Sequence, residues 1–233
     1  MTEQGPVVLV IDDEPPFRRL LRAGLTAEGY RVIDVATGRE ALDRFYDSAP
    51  DLCILDLGLP DIDGLDLIQR FRQASQTPIV VLSSRFHEQA KIDALDLGAD
   101  DYITKPFSMG ELMARLRTAL RHRIQEHGAT PVVEIKSLRI DLVRSLVSRD
   151  GEVVRLSATE YRLLKALTLN AGKVMTHRQI TQAVWGARIE KDPQYLRVYM
   201  RALRQKLEPD PARPIYILTE PGVGYRLHLD STS

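Results

Sequence analysis

The sequence of 233 residues has one cysteine, few aromatic residues and no long hydrophobic run. Because Cys53 is the single cysteine, no disulfide can form within one chain, and its apolar surroundings indicate a small buried residue. No apolar stretch approaches the roughly 18 residues of a membrane span, and the N-terminus lacks the basic and apolar regions of a signal peptide. The five histidines show no ligand spacing with cysteine or carboxylates, which argues against a zinc site. We therefore expect a cytoplasmic protein without a membrane partner.

Charge is balanced over the whole chain but is divided unevenly along it. Residues 1–121 carry 14 Lys and Arg against 20 Asp and Glu, whereas residues 122–233 carry 18 against 12. This composition predicts an acidic module joined to a basic one. We place the domains at residues 1–121 and 132–233, with a linker at 122–131, where charged residues combine with Gly128 and Pro131.

Four short apolar runs in the first module end in polar side chains. The runs and the residues that follow them are Val7–Ile11 with Asp12 and Asp13, Leu52–Leu55 with Asp56, Ile79–Leu82 with Ser83, and Asp101–Ile103 with Lys105. A further strand is predicted at Arg31–Val35, and helical patterns separate the strands, the last of them from Met109 to about Arg121. This alternation predicts an α/β domain, a flavodoxin-like doubly wound sheet of five parallel strands.

The polar strand ends favour phosphorylation of Asp56. A lone aspartate after a strand usually only caps a turn, but parallel strands bring their carboxyl ends to one edge of the sheet, where ligands bind. A carboxylate that attacks a phosphoryl group needs a divalent cation to screen both partners, and Mg²⁺ prefers hard oxygen ligands. Lys105 and Ser83 would each contact a phosphoryl oxygen. The predicted metal ligands are Asp12, Asp13, Asp56 and the backbone carbonyl of Gly58.

The second module has a different pattern, with short alternating strands followed by three helices. The Asp150-Gly151 pair is a strong hairpin signal between two strands, the second predicted at Val153–Leu156. Ser157 and Glu160 form a capping-box pattern at the start of the first helix. The pattern predicts a small antiparallel sheet packed beside a helical set.

The third helix of this module, predicted to begin near Pro193 and to run for about 15 residues, has one apolar and one basic face. Leu196, Met200, Leu203 and Leu207 recur at helical spacing. Arg197, Arg201 and Arg204 form a parallel row beside them. A basic amphipathic helix is most often a solvated surface. The net positive charge of the module and a predicted terminal hairpin favour binding of double-stranded DNA, with the helix in the major groove.

The motifs of the first module resemble the receiver domains of two-component response regulators. They are Asp12-Asp13, Leu55-Asp56-Leu57-Gly58-Leu59-Pro60, Ser83, and the run from Gly98 through Tyr102 and Lys105 to Phe107. The resemblance implies Asp56 as the phosphoryl acceptor, Ser83 and Tyr102 as a coupled switch pair, and a cis peptide bond between Lys105 and Pro106. An aromatic residue at the end of a sheet often only packs in the core, and this is the alternative to a switch role for Tyr102.

The second module resembles the winged-helix effector domain of OmpR/PhoB regulators, with the Trp185-Gly186 loop and the Gly224-Tyr225-Arg226 wing as its most specific marks. By family position, the resemblance implies these DNA contacts: Arg197, Tyr199, Arg201, Arg204, Thr219 and Arg226. Ala202 and Pro221 stand where PhoB-like members have Arg, so fewer or different contacts are expected.

Regulators of this branch dimerise through one face of the receiver by ion pairs between chains. Both charge signs around an apolar patch favour such a homodimer here, although a solvated helix face is the alternative for any single pair. The predicted interface residues are Lys91, Ile92, Leu95, Asp96, Asp100, Asp101, Glu111, Met113, Arg115 and Arg117.

Several motifs are most similar to the potassium-transport regulators of this family. They include Tyr195–Met200, Leu203–Leu207 and Asp210–Pro214. The resemblance implies control of a potassium-uptake operon, a KdpD-like sensor histidine kinase as partner, and contact with RNA polymerase. Two alternatives stay open. One is a DNA-binding regulator whose receiver acts without phosphorylation. The other is an aspartyl-phosphate hydrolase, which needs a second aspartate where Gly58 stands. We expect no enzyme activity beyond the receiver's own phosphotransfer and dephosphorylation.

Overall fold

The computed structural model describes residues 5–84, 88–185 and 193–229, and the chain divides into two compact units, Gly5–Arg123 and Ile124–Ser233. Gly186 of the predicted Trp185-Gly186 loop lies outside the described residues. Within the described ranges, no helix is both long enough and apolar enough to span a bilayer.

The first unit alternates strands and helices, as the sequence predicts. Its strands are β1 (Val7–Ile11), β2 (Arg31–Val35), β3 (Leu52–Leu55), β4 (Ile79–Ser83) and β5 (Asp101–Thr104). Its helices are α1 (Pro15–Ala27), α2 (Gly38–Ser48), α3 (Gly64–Ala74), α4 (Glu88–Asp96) and α5 (Met109–Glu126). The prolines at the start of α1 are tolerated because the first helical amides have no partner within a helix.

The five strands form one parallel sheet in the order β2-β1-β3-β4-β5. The residues of β1, β3 and β4 are buried, which explains their continuous apolar runs. Ile11 pairs with Leu55, so Asp12 and Asp56 follow at the same level of neighbouring strands. The predicted doubly wound fold is confirmed, and its strand ends meet at one edge.

Stacked aromatic rings pack on one side of this sheet. Phe45 of α2 lies against Phe71 of α3 with ring centroids 4.1 Å apart and planes 16° from parallel. Phe71 has no exposed surface. Such buried rings supply a large part of the hydrophobic stabilisation of a domain.

Helix α5 is longer than the sequence pattern predicts. We expected it to end near Arg121, but it continues to Glu126, into the segment predicted as a linker. The physical stop is Gly128, which has a φ of +70° and whose amide donates to the carbonyl of Gln125. A left-handed glycine of this kind is a common helix terminator, whereas the charged residues before it are good helix formers.

In the part of the second unit that the structure describes, short strands combine with three helices. Its strands are β6 (Val132–Ile135), β7 (Leu138–Asp141), β8 (Leu146–Arg149), β9 (Glu152–Val153), β10 (Met175–Thr176), β11 (Ile217–Glu220) and β12 (Gly224–Leu227). Its helices are α6 (Ala158–Leu169), α7 (His177–Trp185) and α8 (Pro193–Leu207).

Two antiparallel sheets flank these helices. β6 to β9 form a meander, and β10, β12 and β11 form a three-stranded sheet in that order. Asp150 and Gly151, with φ of +53° and +82°, make the predicted hairpin turn. The strand predicted at Val153–Leu156 is shorter than expected, since β9 ends at Val153 before the chain turns into α6.

Polar side-chain contacts fix the start of α6 and the end of α8. Ser157 and Glu160 form the predicted capping box at α6. At the end of α8 the buried carboxylate of Glu208 accepts hydrogen bonds from the amides of Ile215 at 2.8 Å and of Ile217 at 2.7 Å. Glu208 therefore ties the end of α8 to the chain entering β11.

Candidate functional site

The ammonium of Lys105 joins two buried carboxylates at the carboxyl edge of the parallel sheet. Its Nζ lies 2.5 Å from Oδ2 of Asp56 and 2.8 Å from Oδ2 of Asp12. Asp12 is 2% exposed and Asp56 is 7% exposed. The structure therefore brings together three residues that the sequence predicts for one site, from the ends of β1, β3 and β5.

Burial and charge shift the pKa values of this group in defined directions. Burial raises the pKa of Asp12 above its ordinary value, and the nearby charge of Asp56 adds to the rise, although the hydrogen bond from Lys105 opposes it. Burial lowers the pKa of Lys105, but the hydrogen bonds to Asp12 and Asp56 outweigh this effect, and the pKa lies above its ordinary value. The lysine therefore stays charged at neutral pH.

The carboxylates at this edge have the chemistry that Mg²⁺ prefers in its ligands. Asp13 is exposed beside the buried pair. Across the described ranges, no three His, Cys, Asp or Glu side chains are placed to hold a metal ion. Three carboxylates (Asp12, Asp13 and Asp56) against the ammonium of Lys105 leave an excess of negative charge that a divalent cation would neutralise.

The remaining predicted residues of the site lie close in the fold. The amide of Gly58 donates to Oδ1 of Asp56 at 2.9 Å, while its carbonyl remains a predicted metal ligand. Ser83 ends β4 and is 1% exposed, and its carbonyl accepts from the amide of Lys105 at 2.9 Å. Tyr102, the other member of the predicted switch pair, is 5% exposed, so its side chain is buried. The predicted cis bond between Lys105 and Pro106 is present.

Sequence reasoning missed two residues of α1 that support the site. Phe17 places its ring centroid 4.0 Å from Nζ of Lys105. Arg18 donates from Nη1 to the carbonyl of Asp12 at 2.5 Å and pairs with Asp34 at 3.5 Å. For Phe17, only the position one turn after the acidic pair could have indicated a contact with the site.

The face predicted for dimerisation is partly exposed. Ile92 and Leu95 of α4 are 44% and 38% exposed, so an apolar patch is present. Most of the predicted charged residues around it, Lys91, Asp96, Asp100, Glu111 and Arg117, are exposed. The expectation that Met113 lies on this surface is wrong, because α5 turns it inward and leaves it 4% exposed.

Several charges of this face pair within the chain. Arg115 donates from Nη1 to both carboxylate oxygens of Asp101, at 3.1 and 2.9 Å, and from Nη2 to Glu111 at 3.1 Å. Asp100 accepts from Nη2 of Arg72 at 2.6 Å. The charge complementarity that indicated a dimer is thus satisfied partly inside one chain, and the dimer stays a prediction.

Helix α8 has the two faces that the sequence predicts. Leu196, Met200, Leu203 and Leu207 are at most 1% exposed and pack in the core of the second unit. Arg197 and Arg201 are exposed. These two side chains are therefore free of the core and available to a ligand on the outer surface of the helix.

Arg204, the third member of the basic row, contacts the terminal hairpin. Its Nη2 lies 2.7 Å from the carbonyl oxygen of Ile217 and 2.7 Å from Oγ1 of Thr219, and its Nε lies 3.2 Å from the same carbonyl. The guanidinium also lies over the ring of Tyr225, 5.6 Å from its centroid. Two residues predicted as DNA contacts, Arg204 and Thr219, therefore bind each other.

Two other predicted DNA contacts, Tyr199 and Arg226, are also engaged within the second unit. The ring of Tyr199 packs against Trp185 with centroids 5.7 Å apart. Nη2 of Arg226 pairs with Glu220 across the hairpin at 2.7 Å. All six predicted DNA contacts lie on α8 or on the hairpin of β11 and β12.

A groove of about 440 Å³ runs along the basic side of α8. Its lining includes Arg197, Arg201, Arg204, Gln205, Pro211 and Tyr225. The sequence analysis did not single out Val198 and Tyr195 as surface residues, although they are 65% and 57% exposed on the same helix. Their position off the buried stripe of Leu196 and Met200 was the available signal.

Two family models match the two units. Residues 8–117 match the response regulator receiver domain, and residues 150–227 match the transcriptional regulatory protein C-terminal domain. The first covers the sheet with Asp12, Asp56 and Lys105, and the second covers the helices and the terminal hairpin.

Relatives match over nearly the whole chain. The KDP operon transcriptional regulatory protein KdpE of Escherichia coli K12 is 48% identical over 222 residues, which cover 95% of this chain and 99% of that protein. The transcriptional regulatory protein KdpE of Mycobacterium tuberculosis CDC 1551 is 46% identical over 221 residues, 94% of this chain and 98% of the relative. A solved two-component response regulator from Clostridium difficile is 28% identical with a TM-score of 0.50, covering 51% of this chain and 98% of that structure. The chain therefore belongs to the two-component response regulators that combine a receiver domain with an OmpR/PhoB-type winged-helix DNA-binding domain.

Proposed function

We propose that Asp56 accepts a phosphoryl group from a KdpD-like sensor histidine kinase, and that phosphorylation promotes receiver dimerisation and sequence-specific DNA binding in the cytosol. The observation that carries this proposal is the convergence of Asp56, Asp12 and Lys105 at the carboxyl edge of the sheet, with Nζ within 2.8 Å of both carboxylates. The similarity to KdpE proteins, together with the motifs in α8, supports control of a KDP-type potassium-uptake operon.

Phosphoryl transfer to the aspartate would be an in-line displacement, with the attacking and leaving atoms on opposite sides of phosphorus. A carboxylate oxygen of Asp56 attacks phosphorus, the bond from phosphorus to the histidine nitrogen of the donor breaks, and an acyl phosphate forms on Asp56. The histidine nitrogen leaves with the electron pair of the broken bond. Lys105 then leaves its carboxylate partners and contacts a phosphoryl oxygen, where its charge stabilises the transferred group.

The carboxylates beside Asp56 would supply the metal ligands. Asp12, Asp13, Asp56 and the carbonyl of Gly58 would hold Mg²⁺, which screens the repulsion between carboxylate and phosphoryl group when bound. The charge excess at this edge supports that assignment. Ser83 at the end of β4 would donate a hydrogen bond to a second phosphoryl oxygen.

The output would combine dimerisation with DNA binding. In a dimer, Arg115 would exchange its partners Asp101 and Glu111 for acids of the second chain, around Ile92 and Leu95. Helix α8 would lie in the major groove, with Arg197, Arg201 and the hairpin of β11 and β12 at bases and phosphates. A direct-repeat site would fit such a dimer, and RNA polymerase would be the partner at the promoter.

The first experiment tests the acceptor. The full chain is incubated with acetyl phosphate and Mg²⁺, and intact mass and solution size are recorded beside Asp56→Asn and a sample with chelator. We expect the wild type to gain one phosphoryl group and to form dimers, and we expect Asp56→Asn to do neither. DNA affinity is then compared for both states on a duplex selected from a random pool by the phosphorylated protein.

Each outcome of this experiment tests a different part of the proposal. A wild-type chain that stays unmodified with both acetyl phosphate and a phosphorylated kinase would contradict the acceptor role of Asp56. Modification without dimers would contradict the interface around Ile92 and Leu95. Equal DNA affinity in both states would favour a receiver that does not control DNA binding.

A further inference from the structure

The ammonium of Lys105 is held from two sides. On one side lie the carboxylates of Asp12 and Asp56, and on the other lies the ring of Phe17, whose centroid is 4.0 Å from Nζ. Lys105 has a side chain that is 13% exposed, so the contact with the ring is largely shielded from water. An aromatic face attracts a cation more strongly when the pair is desolvated.

The ring of Phe17 is itself positioned by the segment that carries the lysine. Phe17 lies in the first turn of α1 and packs edge-on against Phe107, with ring centroids 5.8 Å apart and planes 81° apart. Phe107 follows Lys105 by two residues. The ring that faces the ammonium is therefore packed against the same chain segment that carries Lys105.

Positioning matters here because a lysine side chain has four carbons and many rotamers. In the unphosphorylated site, two carboxylates attract its ammonium. Once Asp56 carries a phosphoryl group, the lysine must leave its carboxylate partner and still remain close enough to meet a phosphoryl oxygen. A ring face that stays in place through this change limits where the ammonium can go.

We propose that Phe17 is a positioning residue for phosphoryl transfer, because its ring face holds the ammonium of Lys105 beside Asp56 before and during the reaction. The inference rests on the proposed acceptor role of Asp56. Leucine at this position would fill much of the same space but lacks the negative face of an aromatic ring, whereas tyrosine keeps that face.

The test compares Phe17→Leu and Phe17→Tyr with the wild-type full chain, using acetyl phosphate and Mg²⁺ so that kinase docking plays no part. Loss of such a cation–ring contact would lower the fraction of molecules whose ammonium is placed for transfer, and with it the rate, by roughly tenfold. We expect the maximal phosphorylation rate of Phe17→Leu to fall by about that factor, with little change in the donor concentration at half-maximal rate. Phe17→Tyr should stay near the wild-type rate. Leu20→Ala, an exposed site on the same helix, is the matched control and should leave the rate unchanged.

Nuclear magnetic resonance supplies a readout that a purely structural role would not move. Ring current from Phe17 should shift the methylene protons next to the ammonium of Lys105 upfield in the wild type and in Phe17→Tyr. The shift should disappear in Phe17→Leu, while the remaining spectrum shows the same fold.

Three results would overturn the inference. They are a wild-type rate in Phe17→Leu, an equal loss in Phe17→Tyr, and the absence of an upfield shift at Lys105 in the wild type. A wild-type chain that accepts no phosphoryl group would instead contradict the proposed function of Asp56, and the spectrum would still decide whether Phe17 holds Lys105.

Discussion

Arg204 provides a sharp test because its place in the structure differs from the role implied by its family position. We expected a DNA contact, but its guanidinium binds the carbonyl of Ile217 and the hydroxyl of Thr219. Arg204→Ala should therefore destabilise the second unit as well as weaken DNA binding. Arg201→Ala is the matched control, since Arg201 is exposed three residues earlier on the same helix.

The size of the effect follows from the bonds that would be lost. Hydrogen bonds from a charged group contribute about 1.5–3 kcal/mol when well buried. Arg204 is only half-buried, and its bond to Thr219 is exposed, so we expect a loss of about 1–2 kcal/mol in the free energy of unfolding. At a slope of about 2 kcal/mol per molar urea, the midpoint would fall by roughly 0.5–1 M. Arg201→Ala should stay within about 0.5 kcal/mol of the wild type.

Urea unfolding followed by tryptophan fluorescence can isolate the second unit within the full chain. Trp185 is the single tryptophan, and it packs against Tyr199 in that unit. DNA affinity of both variants is measured beside the unfolding curves. An unchanged midpoint in Arg204→Ala would refute the structural role of Arg204 and return it to the set of direct DNA contacts.

The remaining predictions concern an ion pair and a glycine. Burial raises the pKa of Glu160, but hydrogen bonds from Lys206, at 2.6 Å, and from the capping-box amide outweigh it, so the pKa lies below its ordinary value. A carboxylate whose pKa is lower in the folded than in the unfolded state stabilises the fold at pH values above its unfolded-state pKa. This stabilisation is lost as the pH falls through its folded-state pKa. Glu160→Gln should therefore lower the free energy of unfolding by about 0.5–1 kcal/mol at neutral pH. As the pH falls, the urea unfolding curves of the variant and the wild type should converge. A difference between the two curves that stays constant with pH would contradict the ion pair. Gly64→Ala should lower the free energy of unfolding by about 1–3 kcal/mol, since the added Cβ would lie 2.5 Å from Cα of Leu57. Because Leu57 directly follows Asp56, the same clash should slow acetyl-phosphate labelling. Gly110→Ala, whose added Cβ would meet only Oγ of Ser108 at an ordinary contact distance of 4.0 Å, should leave the melting temperature and the labelling unchanged. Equal behaviour of both glycine variants would contradict the steric argument.

The receiver fold was predictable because its strands carry a strong and simple signal. Continuous apolar runs mark strands that are buried on both faces, and parallel pairing forces their ends to one edge. The convergence of Asp12, Asp56 and Lys105 followed from that topology alone. The structure confirms the fold, and the family matches confirm the type of regulator.

The features that the sequence did not reveal depend on tertiary contacts. Charge complementarity around Arg115 could not distinguish pairs within a chain from pairs between chains, and the described pairs to Asp101 and Glu111 are within the chain. Met113 is buried because it shares the inner stripe of α5 with Leu112. The contact of Phe17 with Lys105 joins residues far apart in the sequence, so the position of Phe17 one turn after the acidic pair was the one local signal for it.

The hydrogen bond between Lys105 and Asp12 connects positions that are 93 residues apart. During synthesis from the N-terminus, Asp12 and Asp56 leave the ribosome well before Lys105 does. The acceptor site is therefore complete only after β5 has emerged and joined the edge of the sheet. The second unit contributes no residue to the described carboxylate–lysine group. A nascent chain arrested soon after α5 has emerged should thus already accept a phosphoryl group, before any DNA-binding surface has been translated.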